Sequence, residues 1–185
     1  MNIIVRTYNG RIVVRPDTTW KRGNEDFYPP EFVSRITGSP VVFARISKPG
    51  RSVASRFATR YYDSIGCGIL LYPENLIDGS AEGFACACCL DRTTYLTFPE
   101  MDRTCTGGAF VLEVGDREFY NGPAGNAAII EKAIEEASRF CYLRTGDYLA
   151  VELASRMPVC TSGDRCTSVC GAFCGNGSLA FNIIY

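Results

Sequence analysis

Ten cysteines and not one histidine set the chemistry open to this 185-residue chain. Histidine is the side chain whose unperturbed pKa lies near neutrality. Without it, acid–base catalysis needs a strongly shifted Asp, Glu, Lys, Tyr or Cys, and a Ser–His or Cys–His nucleophile cannot be built. The cysteines fall in two groups, Cys86-Ala87-Cys88-Cys89 and the series Cys160, Cys166, Cys170, Cys174. Thiolates so grouped could bind zinc or an iron–sulfur cluster. If residues 83–90 form a strand, however, Cys86 and Cys88 point to one face and Cys89 to the other. The later series lacks the tight Cys-x-x-Cys knuckle of strong zinc sites. The expectation is therefore reduced thiols, most of them small buried hydrophobes. A reactive thiol would need activation from a helix N-terminus or a nearby cation.

Other polar residues each have a structural and a functional reading. Asp147 and Asp164 both follow glycine in turns, where such carboxylates usually accept from turn amides but could also hold a metal or substrate. Asn121-Gly122-Pro123-Ala124-Gly125 could cradle an anion, but no basic residue accompanies it, so an ordinary loop and helix cap is expected. Arg15 is read as a surface salt link that could alternatively hold an anion. Trp20, Phe27, Tyr28 and Phe32 are expected to cover a sheet.

The elements that position these residues follow from patterning. Asn9-Gly10 between Ile3–Val5 and Ile12–Val14 is a hairpin signal. Val41–Ile46 reads as a central strand, followed by a short helix with Ser52 as its N-cap and Val53, Phe57 and Tyr61 on one face. Further strands are expected at Ile65–Leu71, Gly83–Leu90, Ala109–Val114, Tyr148–Leu153 and Leu179–Ile184. The clearest helix begins near Asn126, with Ile129, Ile130, Ala133, Ile134, Ala137, Phe140 and Cys141 at helical spacing. Residues 1–185 read as one domain of α+β class, mostly β, with two principal helices.

Composition narrows the function classes. Hydrophobic residues make up 46% and charged residues 21%, which excludes general disorder. Nineteen basic residues against twenty acidic ones leave no field to attract nucleic acid. No run of about 18 apolar residues could cross a membrane, and the N-terminus lacks a signal-peptide pattern, so a cytoplasmic location is expected.

Three stretches together resemble the fumarylacetoacetate hydrolase family, especially its short bacterial members. They are Arg15-Pro16-Asp17-Thr18; Arg45-Ile46 through Gly50 with Arg56–Asp63; and Leu143–Asp147 followed by Gly163-Asp164. The resemblance implies a mixed β-sandwich or roll, a missing family N-terminal segment, and a homodimer. It also implies a Mg²⁺, Mn²⁺ or Ca²⁺ site, built from a Glu-x-Glu pair and a later Asp, that serves cleavage, decarboxylation or isomerisation of an oxo-acid.

Those family positions fall here on Ser39, Val41 and Leu70, which offer a hard dication one weak oxygen between them. The family's Thr-Ala-Arg-Asp stretch falls on Tyr72-Pro73-Glu74-Asn75, placing an acid where an arginine would meet a carboxylate substrate. The segment bearing its lysine is absent between Leu76 and Asp78, and its Thr-Gly-Thr-Pro loop falls on Val151-Glu152-Leu153-Ala154. The expectation is a non-catalytic scaffold or binding protein with no cofactor, whose relic pocket contains Arg15, Tyr72, Glu74 and Asp147. Two alternatives stand beside it. One is a divergent oxo-acid hydrolase, decarboxylase or isomerase with a rebuilt Mg²⁺ or Mn²⁺ site, and the other is a thiolate metal or redox module.

Overall fold

Two β-branched runs joined by Asn9-Gly10 form the first hairpin, β1 (Asn2–Arg6) and β2 (Ile12–Pro16). Gly10 takes the positive φ that closes the turn. The computed structural model describes residues 1–96 and 101–185, with residue 178 described by its backbone alone. After β2 come β3 (Trp20–Lys21), β4 (Arg35–Ile46), α1 (Ser55–Ala58), β5 (Tyr62–Pro73), α2 (Ala81–Cys89), β6 (Thr94–Leu96) and β7 (Met101–Asp102). The remainder is β8 (Ala109–Val114), β9 (Arg117–Pro123), α3 (Ala127–Phe140), β10 (Tyr148–Glu152), β11 (Met157–Thr161), β12 (Cys166–Phe173) and β13 (Asn176–Ile184).

Among the described residues the strands form two sheets. The larger is mixed and runs β2-β1-β10-β4-β5-β6-β3, with β11 on β4 and β7 on β5. The β1–β10 and β3–β6 pairs are parallel. The smaller sheet is antiparallel, in the order β13-β12-β8-β9. The mostly β, α+β expectation with two principal helices holds, and the large sheet curls into a half-barrel.

Alternation along β4 separates two cores. Ile36, Val42, Ala44 and Ile46 face α3 and the small sheet, in the larger core. Val41 and Phe43 face the inside of the half-barrel with Ile3, Val5, Leu70, Tyr72, Tyr148 and Ala150. Helix α2 closes that inner side, placing Phe84 and Cys88 against it.

The expected helix near Asn126 forms with that residue as its cap, its Oδ1 accepting from the Ile129 N–H at 3.1 Å. Ile130, Ala133, Ile134 and Ala137 are its buried stripe. Phe140, expected on that stripe, is 76% exposed because the helix ends there, past the sheet. Asn126→Ala should lower stability by about 1 kcal/mol through loss of the cap bond; the urea midpoint measures it, and an unchanged midpoint would contradict the capping role.

Four further expectations are corrected. Ser52 is not an N-cap: it has φ +50°, a left-handed turn, so α1 starts only at Ser55 and Phe57 is 41% exposed. Residues 83–90 are not a strand but lie in α2, started by Ser80, whose hydroxyl accepts from the Gly83 N–H. The apparent alternation of Phe84, Cys86 and Cys88 concealed a helical stripe of Phe84, Ala87 and Cys88. Tyr28 and Phe32, expected as sheet cover, are 62% and 59% exposed, whereas Phe27 is buried by pairing with β13. The strand expected at 41 starts at Arg35, its first half paired with β11. Among the described residues no helix is long and apolar enough to cross a membrane.

Candidate functional site

Strand register brings together the three positions, Ser39, Val41 and Leu70, on which the resemblance laid the family's ligands. Ser39 on β4 lies directly opposite Leu70 on β5. Val41, two residues further along β4, points to the same inner side and has Glu152 of β10 opposite it. That convergence is what a three-ligand site needs, but the side chains offer one hydroxyl and two aliphatic groups. All three are completely buried, and the Ser39 hydroxyl finds no hydrogen-bond partner among the described residues. A hard dication requires several oxygens and prefers carboxylates, so these residues do not fit one. Among the described residues no group of three or more Cys, Asp or Glu side chains could hold a metal ion.

Arg15 fills the neighbouring interior, which corrects its reading as a surface salt link. It is fully buried, the one buried residue of β2, and its guanidinium reaches the backbone of β5. Its guanidinium donates to the carbonyls of Leu71 (2.6 Å) and Thr93 (3.0 Å) and to the Thr94 hydroxyl (2.7 Å). The Tyr72 ring lies against it, 4.6 Å from the guanidinium carbon to the ring centroid. The Arg15 guanidinium also acts on the nearby Cys88 thiol, partly opposing the rise that burial gives its pKa. Arginine suits this place because its fixed fork of donors serves several acceptors at once.

Tyr72 carries the network outward. Its hydroxyl donates to Glu152 Oε1 at 2.7 Å, and the Tyr8 N–H donates to Glu152 Oε2 at 2.7 Å. Burial pushes the Tyr72 phenol well above its usual pKa, with the Glu152 carboxylate adding to the rise, so the ring stays protonated and remains the donor. Burial likewise raises the Cys88 thiol. Phe84 stacks on Tyr72 at 6.0 Å and 14°, and the Arg156 guanidinium lies 5.4 Å from both ring centroids. Arg156 also approaches Glu74 (3.9 Å), which accepts from the Thr37 hydroxyl at 2.7 Å.

Above this network lies an open cavity of about 390 Å³, bordered by Tyr8, Arg11, Phe84, Glu152, Ser155 and Arg156. Of the residues expected in a relic pocket, Arg15, Tyr72 and Glu74 belong to this connected group. Asp147 lies at the other end of β10, where it accepts from the backbone N–H groups of Asn2 (2.7 Å) and Arg144 (2.9 Å). Asp164 similarly accepts from the Thr161 N–H and hydroxyl, which keep its carboxyl below the usual range. Glu152 is the residue that sequence reasoning passed over. A lone acid in the apolar run Tyr148–Leu153 was the available signal.

The premise about the first cysteine group is also corrected. In α2, Cys86 and Cys89 are exposed and Cys88 is buried, so the three diverge around a helix instead of alternating across a strand. All ten cysteines are thiols, with no disulfide between them.

No family model matches this sequence, and no curated protein matches it. Solved structures do match. A fumarylacetoacetate hydrolase family protein from Yersinia pestis CO92 superposes with TM-score 0.83 at 14% identity, over 99% of this chain and 92% of that one. Fumarylpyruvate hydrolase from Pseudomonas aeruginosa, in complex with Mn²⁺ and pyruvate, gives TM-score 0.82 at 15% identity over 100% and 89%. 5-Carboxymethyl-2-hydroxymuconate delta-isomerase from Mycobacterium smegmatis gives 0.80 at 15% over 99% and 78%. Over nearly its whole length, this chain has the fold of the fumarylacetoacetate hydrolase family.

Proposed function

We propose that this chain is a non-catalytic scaffold or binding protein that keeps the fumarylacetoacetate hydrolase fold without its metal chemistry. One observation carries the reading: Ser39, Val41 and Leu70 converge on the inner side of the half-barrel, fully buried, with one hydroxyl among them. Beside them the cationic group is the Arg15 guanidinium, whose two terminal nitrogens are committed to protein acceptors while its buried Nε has no partner among the described residues. A buried, engaged guanidinium cannot polarise an incoming carbonyl as an exchangeable dication does. By resemblance, the working assembly is a homodimer.

A second reading has its own support. The cavity sets Glu152 beside Arg11 and Arg156, a carboxylate and two cations that a divergent oxo-acid hydrolase, decarboxylase or isomerase could use. Turnover separates the two. With acylpyruvates and oxaloacetate, across Mg²⁺, Mn²⁺ and Ca²⁺, rates should match protein-free controls. Metal-dependent turnover that disappears in Glu74→Ala or Glu152→Gln would overturn the non-catalytic reading.

A further inference from the structure

The hairpin joining β12 to β13 has an unusual residue at its tip. Phe173 pairs with Asn176, leaving the two-residue turn Cys174-Gly175, and both residues have positive φ, +51° and +75°. Such a turn matches the twist of the strands and favours Asn-Gly. A cysteine in its first position is out of place on backbone grounds, and a non-glycine residue held at positive φ can mark a functional constraint.

That conformation aims the thiol at one place. Cys174 N–H donates to the Ala109 carbonyl at 2.9 Å, which docks the turn on the chain just after the 105–108 turn. The 105–108 turn is itself closed by the Gly108 N–H donating to the Cys105 carbonyl at 3.1 Å. A Cβ on Gly108 would come within 2.2 Å of Cys174 Sγ, so only glycine admits the thiol there. The same point at Gly108 lies 3.1 Å from the Cys105 carbonyl oxygen, so the Cys174 thiol sits against the turn that carries Cys105, and the Cys105 thiol acts on it electrostatically. Cys174 is exposed and Cys105 half-buried, so an oxidant reaches the pair from solvent.

We infer that Cys105 and Cys174 form a reversible disulfide that clamps the tip of the small sheet to the turn following β7 of the large one. The oxidant is a peroxide. One thiolate attacks a peroxide oxygen, breaking the O–O bond; the leaving hydroxide takes a proton and departs as water, leaving a sulfenic acid. The second thiol displaces the sulfenic oxygen as a second water. Two thiols and one hydrogen peroxide thus give one disulfide and two waters, and a dithiol reverses the change. The two sulfurs must close to about 2.05 Å, a rearrangement confined to two turns that already pack together. Burial and the Cys105 thiol raise the Cys174 pKa, so the reaction runs faster in alkaline buffer.

The experiment treats the full chain with stoichiometric hydrogen peroxide, counts thiols, and maps non-reduced peptides by mass. The count should fall from ten to eight, ten less the two joined, with the Cys105 and Cys174 peptides linked and a higher unfolding midpoint that dithiothreitol reverses. Cys105→Ser and Cys174→Asn, the latter supplying a residue the turn favours, should each keep all nine remaining thiols under the same treatment. Linkage of another pair, such as Cys86 with Cys89, or equal thiol loss in Cys174→Asn, would overturn the inference.

Discussion

Arg15→Met should lower unfolding free energy by about 3–5 kcal/mol, because three buried acceptors lose their donor at once. Methionine has similar length and fills the space, so packing is largely retained. The loss arises instead from acceptors. The Thr93 carbonyl and the Thr94 hydroxyl both receive bonds from Arg15, as does the Leu71 carbonyl. Each buried polar group left without a partner costs about 1–3 kcal/mol. Arg15→Lys should recover only part, because an ammonium is a point charge without the guanidinium fork. Urea unfolding of the three proteins provides the comparison. Equal midpoints for wild type and Arg15→Met would show that the guanidinium is incidental and would remove the structural half of the account.

Glu152→Gln should cost about 2 kcal/mol. Both carboxylate oxygens accept, one from the Tyr72 hydroxyl and one from the Tyr8 N–H. An amide presents one oxygen and one NH₂; with its oxygen on the Tyr8 N–H, its NH₂ meets Tyr72, whose buried hydroxyl must turn from donor to acceptor and loses its charge-assisted bond. Tyr72→Phe removes one of those donors, so the two changes together should cost less than their sum. A double-mutant cycle should return a coupling of about 0.5–3 kcal/mol, the range for groups sharing a network. Strict additivity would mean that Tyr72 and Glu152 do not act together, and the cavity floor would need another explanation.

The parts of the fold that depend on local chemistry were readable in advance. Asn9-Gly10 announced the first hairpin, and the Ile130–Ala137 stripe with Asn126 at its head announced α3. Where short-range patterns were ambiguous, reading failed. Residues 84–88 satisfy a two-residue and a helical period at once, and the Ser80 cap decides between them. Ser52 has the right type for a cap but the wrong backbone, since its φ follows from contacts with Ser138 of α3, 86 positions away.

The candidate site divides similarly. That Ser39, Val41 and Leu70 offer a hard cation one hydroxyl between them is visible from residue types alone. Their convergence needs the β4–β5 register. What occupies the interior was not legible, because the acceptors of Arg15 are mostly backbone carbonyls contributed by β5 and the segment before β6. Carbonyls carry no sequence signature. Glu152 was overlooked for a related reason: its partners, Tyr8 and Tyr72, lie 144 and 80 positions distant.

Thermal unfolding in rising Mg²⁺ or Mn²⁺ tests the central proposition most directly, because hard ions bypass the thiols and report on oxygen ligands. An ion bound only by the native chain adds about 2.7 kcal/mol at 100 times its Kd. The prediction is an unfolding midpoint that does not move across the titration, and calorimetry without a saturable heat. A saturable rise in midpoint, erased by Ser39→Ala or Glu152→Gln, would place a dication inside the half-barrel and contradict the account.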